Sequence, residues 1–571
     1  MILDRMQPGA NLATLTLGVV STLTYYVCWR WCETARARRM AKGGRAGSPS
    51  LPSPAAVLPR WLPFLGGHTL QMETEKLNQQ VEGWADEFGS DFEVTIAGST
   101  IVFVTDAEDM HRIFLQRPTN FRRGWMPNQF SWMAERIGLG PSLFFDEGKQ
   151  WGRSRRIISP ALNGHHNVAN MIPAMAKIAE RVCSKLDDQD GGTVEFVGTF
   201  ERYTHDVVAL AAFGFDADSV RATEDRPSVS FDAMRMVIAA FMRLILDPLS
   251  MLGWETIPAL LPWARAAKLG TRRLHQVVQG AIDATRRQMQ EGGEISHDNG
   301  GGLLRKLVTV QGSGDGTTKG VNDRMKFSDK EILKQVMGLF LAGSETTSRT
   351  MSWMMYYLAK HPELHARCRE EALRVAPLSG GIVSTAEQAS QLVFCTALFK
   401  ETLRLWPAAP LLFMYSTEPI TLKSGVEFEA GTPFTVVLRY PCLSEDAFTR
   451  AKYFVPERWI DAEREEALRG GSSKGGDSTC DVIHREEVMH AFGAGPRKCP
   501  GASVANLEAI MMISAICARF DLALGPEQVG AAYSWVQKRV VCGRRFDCRG
   551  TPVATLRPHF MFCLYEWELF R

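Results

Sequence analysis

The stretch FGAGPRKCPG (residues 492–501) places one cysteine, Cys499, among three glycines, two prolines and two cations. Gly493, Gly495 and Gly501 permit unusual backbone angles, and Pro496 and Pro500 stiffen the turn. A thiolate needs donors and positive charge around it. The backbone N–H groups of such a loop, and the N-terminus of the apolar helix expected after residue 501, supply both. Zinc would need further ligands at finger-like spacing, and none is near. A nucleophilic cysteine would need a histidine and an orienting group; His490 is close in sequence but fits no known signature. One thiolate on a rigid loop suits the axial ligand of a haem, whose opposite face stays open.

Three other constellations could carry chemistry. AGSETT (342–347) sits mid-way along a segment that opens on a capping box, Ser328 with Glu331, and stops at His361-Pro362. A helix of about 30 residues, apolar nearly all round, runs through a core rather than over a surface. Gly343 in its middle costs about 1 kcal/mol relative to alanine. Two readings stay open: a kink whose threonines bond back to carbonyls, or a notch beside a bound group with Glu345 and Thr346 relaying protons. In KETLRLWP (400–407), Glu401 and Arg404 share a helix face at i,i+3. Apolar neighbours favour a buried pair over a surface one, and Arg458 of PERW (456–459) could complete it. In WGRSRR (151–156), Trp151 and Arg155 at i,i+4 offer an indole and a guanidinium to a carboxylate, or form an ordinary basic face.

The elements that must position these residues read as mainly helical with a minor β part. Helical periodicity covers residues 167–186, 272–290 and 329–359. A hairpin is expected at 92–106 around Ala97-Gly98, and short strands return at 419–438. The Gly-rich stretches 291–326 and 465–481 read as surface loops or insertions. The chain has 571 residues, 45% hydrophobic and 22% charged, enough for a large core. A net charge of +2 gives no reason to expect nucleic-acid binding. Twelve scattered cysteines without a CxxC suggest a reducing compartment. Met6 to Trp29 is an uncharged run of 24 residues, followed by Arg30, Arg36, Arg38, Arg39, Lys42 and Arg45. Residues 1–30 therefore read as a transmembrane anchor with the bulk of the chain cytosolic. A cleaved signal peptide would carry its charge before the apolar run. Residues 31–60 read as a basic, Pro-rich linker, and residues 61–571 as a single catalytic domain. Five prolines (Pro49, Pro52, Pro54, Pro59, Pro63) rule out helix between 43 and 67.

Taken together, these motifs resemble the cytochrome P-450 family of haem-thiolate monooxygenases over nearly everything after residue 60. The family's F-x-x-G-x-R-x-C-x-G is matched by Phe492, Gly495, Arg497, Cys499 and Gly501, and its [A/G]-G-x-[D/E]-T-[T/S] by Ala342 to Thr347. ExxR is Glu401/Arg404 with Arg458 as third member, and W-x-x-x-R is Trp151/Arg155. Four motifs stand in family order.

The resemblance implies the cytochrome P-450 fold, one large haem domain, and haem b bound through a Cys499–iron bond. It implies that Phe492 shields the cysteine side and that Trp151, Arg155 and Arg497 hold the propionates. Glu345 and Thr346 would deliver protons to dioxygen, Gly343 would leave room for O2, and Glu401, Arg404 and Arg458 would fix the core near the loop. Two departures stand out. The arginine that the family commonly carries after the ExxR prolines is missing from PLLFMYSTE (410–418), where Tyr415 could substitute, and PCLSEDAF (441–448) replaces the usual His-Arg before PERW.

The implied reaction inserts one atom of O2 into an apolar substrate at the endoplasmic reticulum, with electrons from NADPH through a separate flavoprotein reductase or cytochrome b5. No G-x-G-x-x-G follows a strand. Lys149, Arg153, Arg156 and Lys498 are candidates for the docking surface. Trp125, Phe130, Ala408, Leu411, Leu412 and Phe413 match positions that line the family's pocket and imply a fatty-acid- or sterol-like ligand. The G-P-R form of the loop resembles fatty-acid hydroxylases, while Glu345 argues against a sterol demethylase, which usually has histidine there. A haem-thiolate isomerase or dehydratase, or a non-catalytic haem sensor, remains the alternative; an intact Glu345-Thr346 pair and apolar pocket segments argue against both.

Overall fold

In a computed structural model of the chain, the described residues are 50–56, 77–89, 91–96, 99–125, 129–188, 193–246, 262–291, 301–310, 327–460, 488–524 and 540–544. The expected anchor (1–30) and the stretch 465–481 lie outside them.

The chain is mostly helical with a small sheet part. Its helices are α1 (Leu77–Phe88), α2 (Ala107–Leu115), α3 (Gln129–Arg136), α4 (Gly148–Asn163), α5 (His165–Ala169), α6 (Ile172–Asp188), α7 (Phe196–Val207), α8 (Val229–Leu246) and α9 (Pro262–Gln290). They continue as α10 (Gly302–Val310), α11 (Asp329–Lys360), α12 (Pro362–Val375), α13 (Ala386–Ser390), α14 (Val393–Leu405) and α15 (Ala502–Arg519). The strands are β1 (Phe92–Ile96), β2 (Ser99–Val104), β3 (Phe121–Arg123), β4 (Thr193–Val194), β5 (Leu411–Ser416), β6 (Ile420–Thr421), β7 (Glu427–Phe428), β8 (Pro433–Val437), β9 (Phe520–Leu524) and β10 (Val540–Arg544).

The main sheet has the order β1-β2-β8-β5-β3. The expected hairpin is β1 and β2, paired antiparallel from Ile96 opposite Ser99 to Phe92 opposite Phe103. Its alternating valines and aromatics bury one face, with Phe92 and Phe103 stacked at 5.2 Å. Part of the Pro-rich stretch belongs to the body: Leu51 is buried beside Val104 and Phe434, and the Glu93 N–H donates to the Pro52 carbonyl at 2.9 Å.

Helix α11 is the axis of the molecule. The Ser328–Glu331 capping box closes its start, as the sequence leads one to expect, and it ends at His361 before Pro362. Buried residues lie on all its sides because α7, α14 and α15 pack around it. Polar side chains fix its height. Gln335 accepts the Leu143 N–H at 2.7 Å and donates to Ser154 Oγ at 3.0 Å, clasping α4. At the other end Trp353 stacks on Trp406 at 4.0 Å, and the Trp406 indole donates to the Tyr357 hydroxyl at 2.9 Å, tying α11 to the end of α14. Helix α15 is apolar and long enough to cross a membrane by composition alone, but it is mostly buried inside the body.

One sequence expectation fails here. Residues 302–310, placed in a Gly-rich surface loop, form helix α10 with Leu303, Leu304 and Leu307 buried. The apolar residues of LLRKLV repeat at helical spacing; the glycine-rich flanks hid a segment too short to stand out alone.

Candidate functional site

Cys499 sits at the end of a loop whose shape depends on its glycines. Gly495 adopts φ +62°, and a Cβ there would meet the Phe114 carbonyl oxygen at 2.6 Å. Gly493 also takes positive φ, +67°, with open space around it. The Cys499 N–H donates to the Phe492 carbonyl at 2.8 Å, closing the loop. Burial pushes the Cys499 thiol up, against the Gly501 N–H and the charges of Arg155 and Arg123, which pull it down. The donors that a thiolate requires are thus in place. Phe492 stands beside Phe399, centroids 6.3 Å apart.

Arg497 is buried, and its guanidinium lies 4.2 Å over the Trp151 ring. It donates to the Asp146 carbonyl at 2.8 Å and pairs with the Glu147 carboxylate. Two cations that sequence reasoning missed stand with it. Arg117, buried after the end of α2, is pushed down to about 9 by burial and by Arg123 and Arg497. Arg123, on β3, donates its N–H to Glu147 at 3.2 Å and lies over Phe144 at 4.5 Å. Arg117 Nε, Arg123 Nε and both Nε and Nη1 of Arg497 are buried without a hydrogen-bond partner among the described residues. The acids nearby do not balance the charge: Glu147 is one carboxylate, and burial pushes Asp146 up to about 7. Unpaired buried guanidinium donors are costly unless an anion completes them. A sequence signal existed in FRRG (121–124), a cation pair inside a strand. Its meaning depends on β3 pairing with β5, Arg123 opposite Met414 and Arg122 opposite Tyr415. Tyr415, expected as a possible substitute for the missing arginine, is instead bonded to Arg122.

The middle of α11 shows the first of the two features that its sequence left open, a threonine bonded back to a carbonyl. Thr346 is exposed along the helix, and its hydroxyl donates back to the Ala342 carbonyl at 2.9 Å. Glu345 pairs with Arg349 at 3.2 Å. A Cβ at Gly343 would lie 2.9 Å from Val208, so this glycine admits the π-turn Val208–Ala212 against the helix.

Glu401, Arg404 and Arg458 form one fully buried cluster. Arg404 binds both Glu401 oxygens, at 2.7 and 3.0 Å, and donates to the carbonyls of Cys442, Ala451 and Tyr453. Glu401 also accepts from Arg458, the Trp459 indole and the Val455 N–H. Burial would raise this carboxyl, but the two guanidiniums and the Val455 N–H hold it below its ordinary value.

The expected pocket residues fall into separate groups. Trp125 lies tilted against Phe413, centroids 4.6 Å apart, and donates to Thr435 at 3.0 Å. Leu411 packs on the face of the sheet that α1 covers and Leu412 on the face that α2 covers, as neighbours on a strand must. Phe130 stands 6.3 Å from Phe241 of α8, and Ala408 is half-buried after α14. Of the four docking candidates, Lys149, Arg156 and Lys498 are exposed, whereas Arg153 is paired with Glu331.

A mainly helical body with a cysteine loop, a buried Glu–Arg–Arg cluster and a notched central helix is the architecture of a haem-thiolate protein. A profile of the Cytochrome P450 family matches residues 57–534, and the chain belongs to that family. It is 24% identical to Cytochrome P450 4A2 of Rattus norvegicus over 91% of this chain and 92% of that protein. It is 23% identical to the chloroplastic carotene epsilon-monooxygenase of Arabidopsis thaliana, over 78% of this chain and 77% of the relative. A self-sufficient cytochrome P450 monooxygenase of Aspergillus niger matches at 26%, over 81% of this chain but only 40% of its own length. The chain is thus an oxygen-incorporating oxidoreductase of a family that uses haem iron, O2 and an electron donor. The residues present fit that cofactor: leftover buried guanidinium donors suit its two carboxylates, and a donor-supported cysteine suits its metal.

Proposed function

We propose that this chain is a membrane-anchored monooxygenase that inserts one oxygen atom of O2 into an apolar, lipid-like substrate. The observation that carries the reading is the surplus of buried guanidinium donors beside a cysteine that accepts a backbone N–H. Haem b, when bound, supplies the iron at which dioxygen is activated. Cys499 would ligate that iron, with Gly501 close to the sulfur; a Cβ there would lie 3.9 Å away. Trp151, Arg155, Arg497, Arg117 and Arg123 would hold the propionates by charge-assisted bonds. Phe492 covers the cysteine side and limits water there. On α11, Glu345 holds a proton-transferring carboxyl beside Arg349, and Thr346 presents a hydroxyl already oriented by the Ala342 carbonyl. Gly343 keeps this stretch slim. Glu401, Arg404 and Arg458 hold the segment before the loop.

An apolar substrate is supported by Trp125, Phe130, Leu411, Leu412 and Phe413, and by the carotene for which the plant relative is named. Electrons would come from a separate NADPH-dependent flavoprotein reductase, with Lys149, Arg156 and Lys498 as its docking charges. Residues 1–30 would anchor the chain in the endoplasmic reticulum, residues 31–49 link it to the body, and the rest form the catalytic domain on the cytosolic side.

A reduced, carbon-monoxide-bound spectrum tests the ligand assignment. The protein should show a strongly red-shifted Soret band that Cys499→Ser abolishes, and an unshifted band in the parent protein would overturn it. Turnover on a lipid panel with NADPH and reductase should require O2 and fall in Thr346→Ala. Turnover without O2 would point instead to an isomerase or dehydratase.

A further inference from the structure

Among the described residues six cysteines are free, and three of them meet in the core. Cys368 of α12, Cys395 of α14 and Cys517 of α15 are each wholly buried. Cys368 Sγ lies 3.1 Å from Cys395 Sγ, and Cys517 bonds to the same sulfur from the third helix. Cys368 is therefore the middle of a row of thiols drawn from three separate elements.

The backbones that carry these sulfurs are pinned by the residues around Cys368. Glu371 accepts the N–H groups of Phe394 and Cys395 at 2.8 and 2.9 Å. Arg369 donates to the Cys517 carbonyl at 2.7 Å. Arg367 lies over Phe394 at 4.3 Å and pairs with Glu457 at 3.0 Å. These contacts hold α14 and α15 against α12, so the sulfurs cannot drift apart without breaking them. Closing to the roughly 2.05 Å of a disulfide needs only about 1 Å of approach.

The contact also selects which thiol reacts. Bonds from Cys395 and Cys517, helped by Arg369, pull the Cys368 thiol down against burial and Glu371. The bond to Cys368, together with burial, pushes the Cys395 thiol up. A thiolate is the nucleophile toward an oxidant, and a thiol beside it resolves the product. Cys183 and Cys442 make the contrast: as deeply buried but outside the cluster, their thiols are pushed up to about 12 by burial.

We propose that Cys368, Cys395 and Cys517 form a peroxide-reactive thiol site in which Cys368 is oxidised first and closes a disulfide to Cys395. The inference goes beyond the monooxygenase reading and does not depend on it. The Cys368 sulfur attacks one oxygen of hydrogen peroxide and the O–O bond breaks. Cys368 keeps that oxygen as a sulfenic acid, and the departing hydroxide takes the thiol proton and leaves as water. The Cys395 sulfur then attacks the Cys368 sulfur, the S–O bond breaks, and the hydroxyl leaves with the Cys395 proton as a second water. Two thiols give up two electrons and one peroxide takes them. Burial selects the oxidant: hydrogen peroxide is small and uncharged, so local opening of the packing admits it, whereas a bulky disulfide stays outside. The bridge joins α12 to the first turn of α14, the helix that carries Glu401 and Arg404.

The test treats the reduced holoprotein with graded hydrogen peroxide. Catalase stops the reaction, the protein is denatured and alkylated, and its cysteine peptides are mapped by mass spectrometry without reduction. The Cys368 peptide should be joined to that of Cys395. This pair should lose its thiols about tenfold or more faster than Cys183 and Cys442, since each unit of thiol pKa changes the thiolate fraction about tenfold. In Cys395→Ala the Cys368 peptide should be joined to Cys517 instead. In Cys368→Ala both Cys395 and Cys517 should stay reduced at the same dose. Should a variant not fold, the comparison among the parent protein's own buried cysteines decides. Equal loss at all five buried cysteines, a free Cys368 thiol when Cys183 is already oxidised, or a Cys395–Cys517 bridge in Cys368→Ala overturns the proposal.

Discussion

At the scale of single residues, the site divides into groups read from spacing and groups assembled by the fold. Cys499, Arg497, Glu345 and Thr346 stand in short motifs whose chemistry is local, so the sequence exposes them. Arg117 and Arg123 are delivered by a helix end and a strand pairing across nearly 300 residues, which no local pattern records. Their leftover donors make a prediction. Arg123→Ala should weaken haem retention about tenfold or more, since a hydrogen bond to a charged group contributes about 1.5–3 kcal/mol; the rate of haem loss to excess apo-globin measures it. An unchanged rate would remove Arg123 from the cradle. Gly495→Ala is the sharper local test. Left-handed backbone costs a substituted residue roughly 1–2 kcal/mol, and the new methyl also meets the Phe114 carbonyl oxygen. The variant should lose most of its red-shifted carbon-monoxide band, and a wild-type spectrum would show that the loop tolerates a side chain.

At the scale of elements, α11 was legible because both its ends are written locally, in a capping box and a proline. Strand β5 was not: LLFMYS is a continuous apolar run that fits a buried strand or a pocket wall equally. The buried carboxylate of α14 was foreseeable from its i,i+3 spacing and apolar neighbours, but its partners Trp459 and Val455 were not. Glu401→Gln should destabilise the fold by about 3–5 kcal/mol, because two buried guanidiniums lose their counter-charge; chemical denaturation of the holoprotein checks this. The same carboxyl gives a pH dependence. Its folded-state value lies below the ordinary one, so its stabilisation is fully present above about pH 4.3 and is lost as pH falls through the lower folded value. Glu401→Gln should therefore flatten the acid limb of the stability curve, and an unaltered limb would assign acid sensitivity to other groups.

At the scale of the whole molecule, the mainly helical architecture and its catalytic class follow from motifs in fixed order, whereas the substrate depends on how separate apolar groups come together. Removing residues 1–49 should release the protein from membranes in flotation assays while preserving the carbon-monoxide spectrum; continued flotation would place the membrane contact on the body. The seam at Leu51 and Pro52 sharpens that geometry. Because the chain is already stitched to the β1 edge there, any tether from an anchor ending near residue 30 stops at residue 49. Its reach is then roughly 65 Å at full extension, and it pulls on one corner of the sheet. A body leashed at that corner cannot tumble freely above a bilayer: it would lean, and the same side of the protein would face the lipid each time it settled.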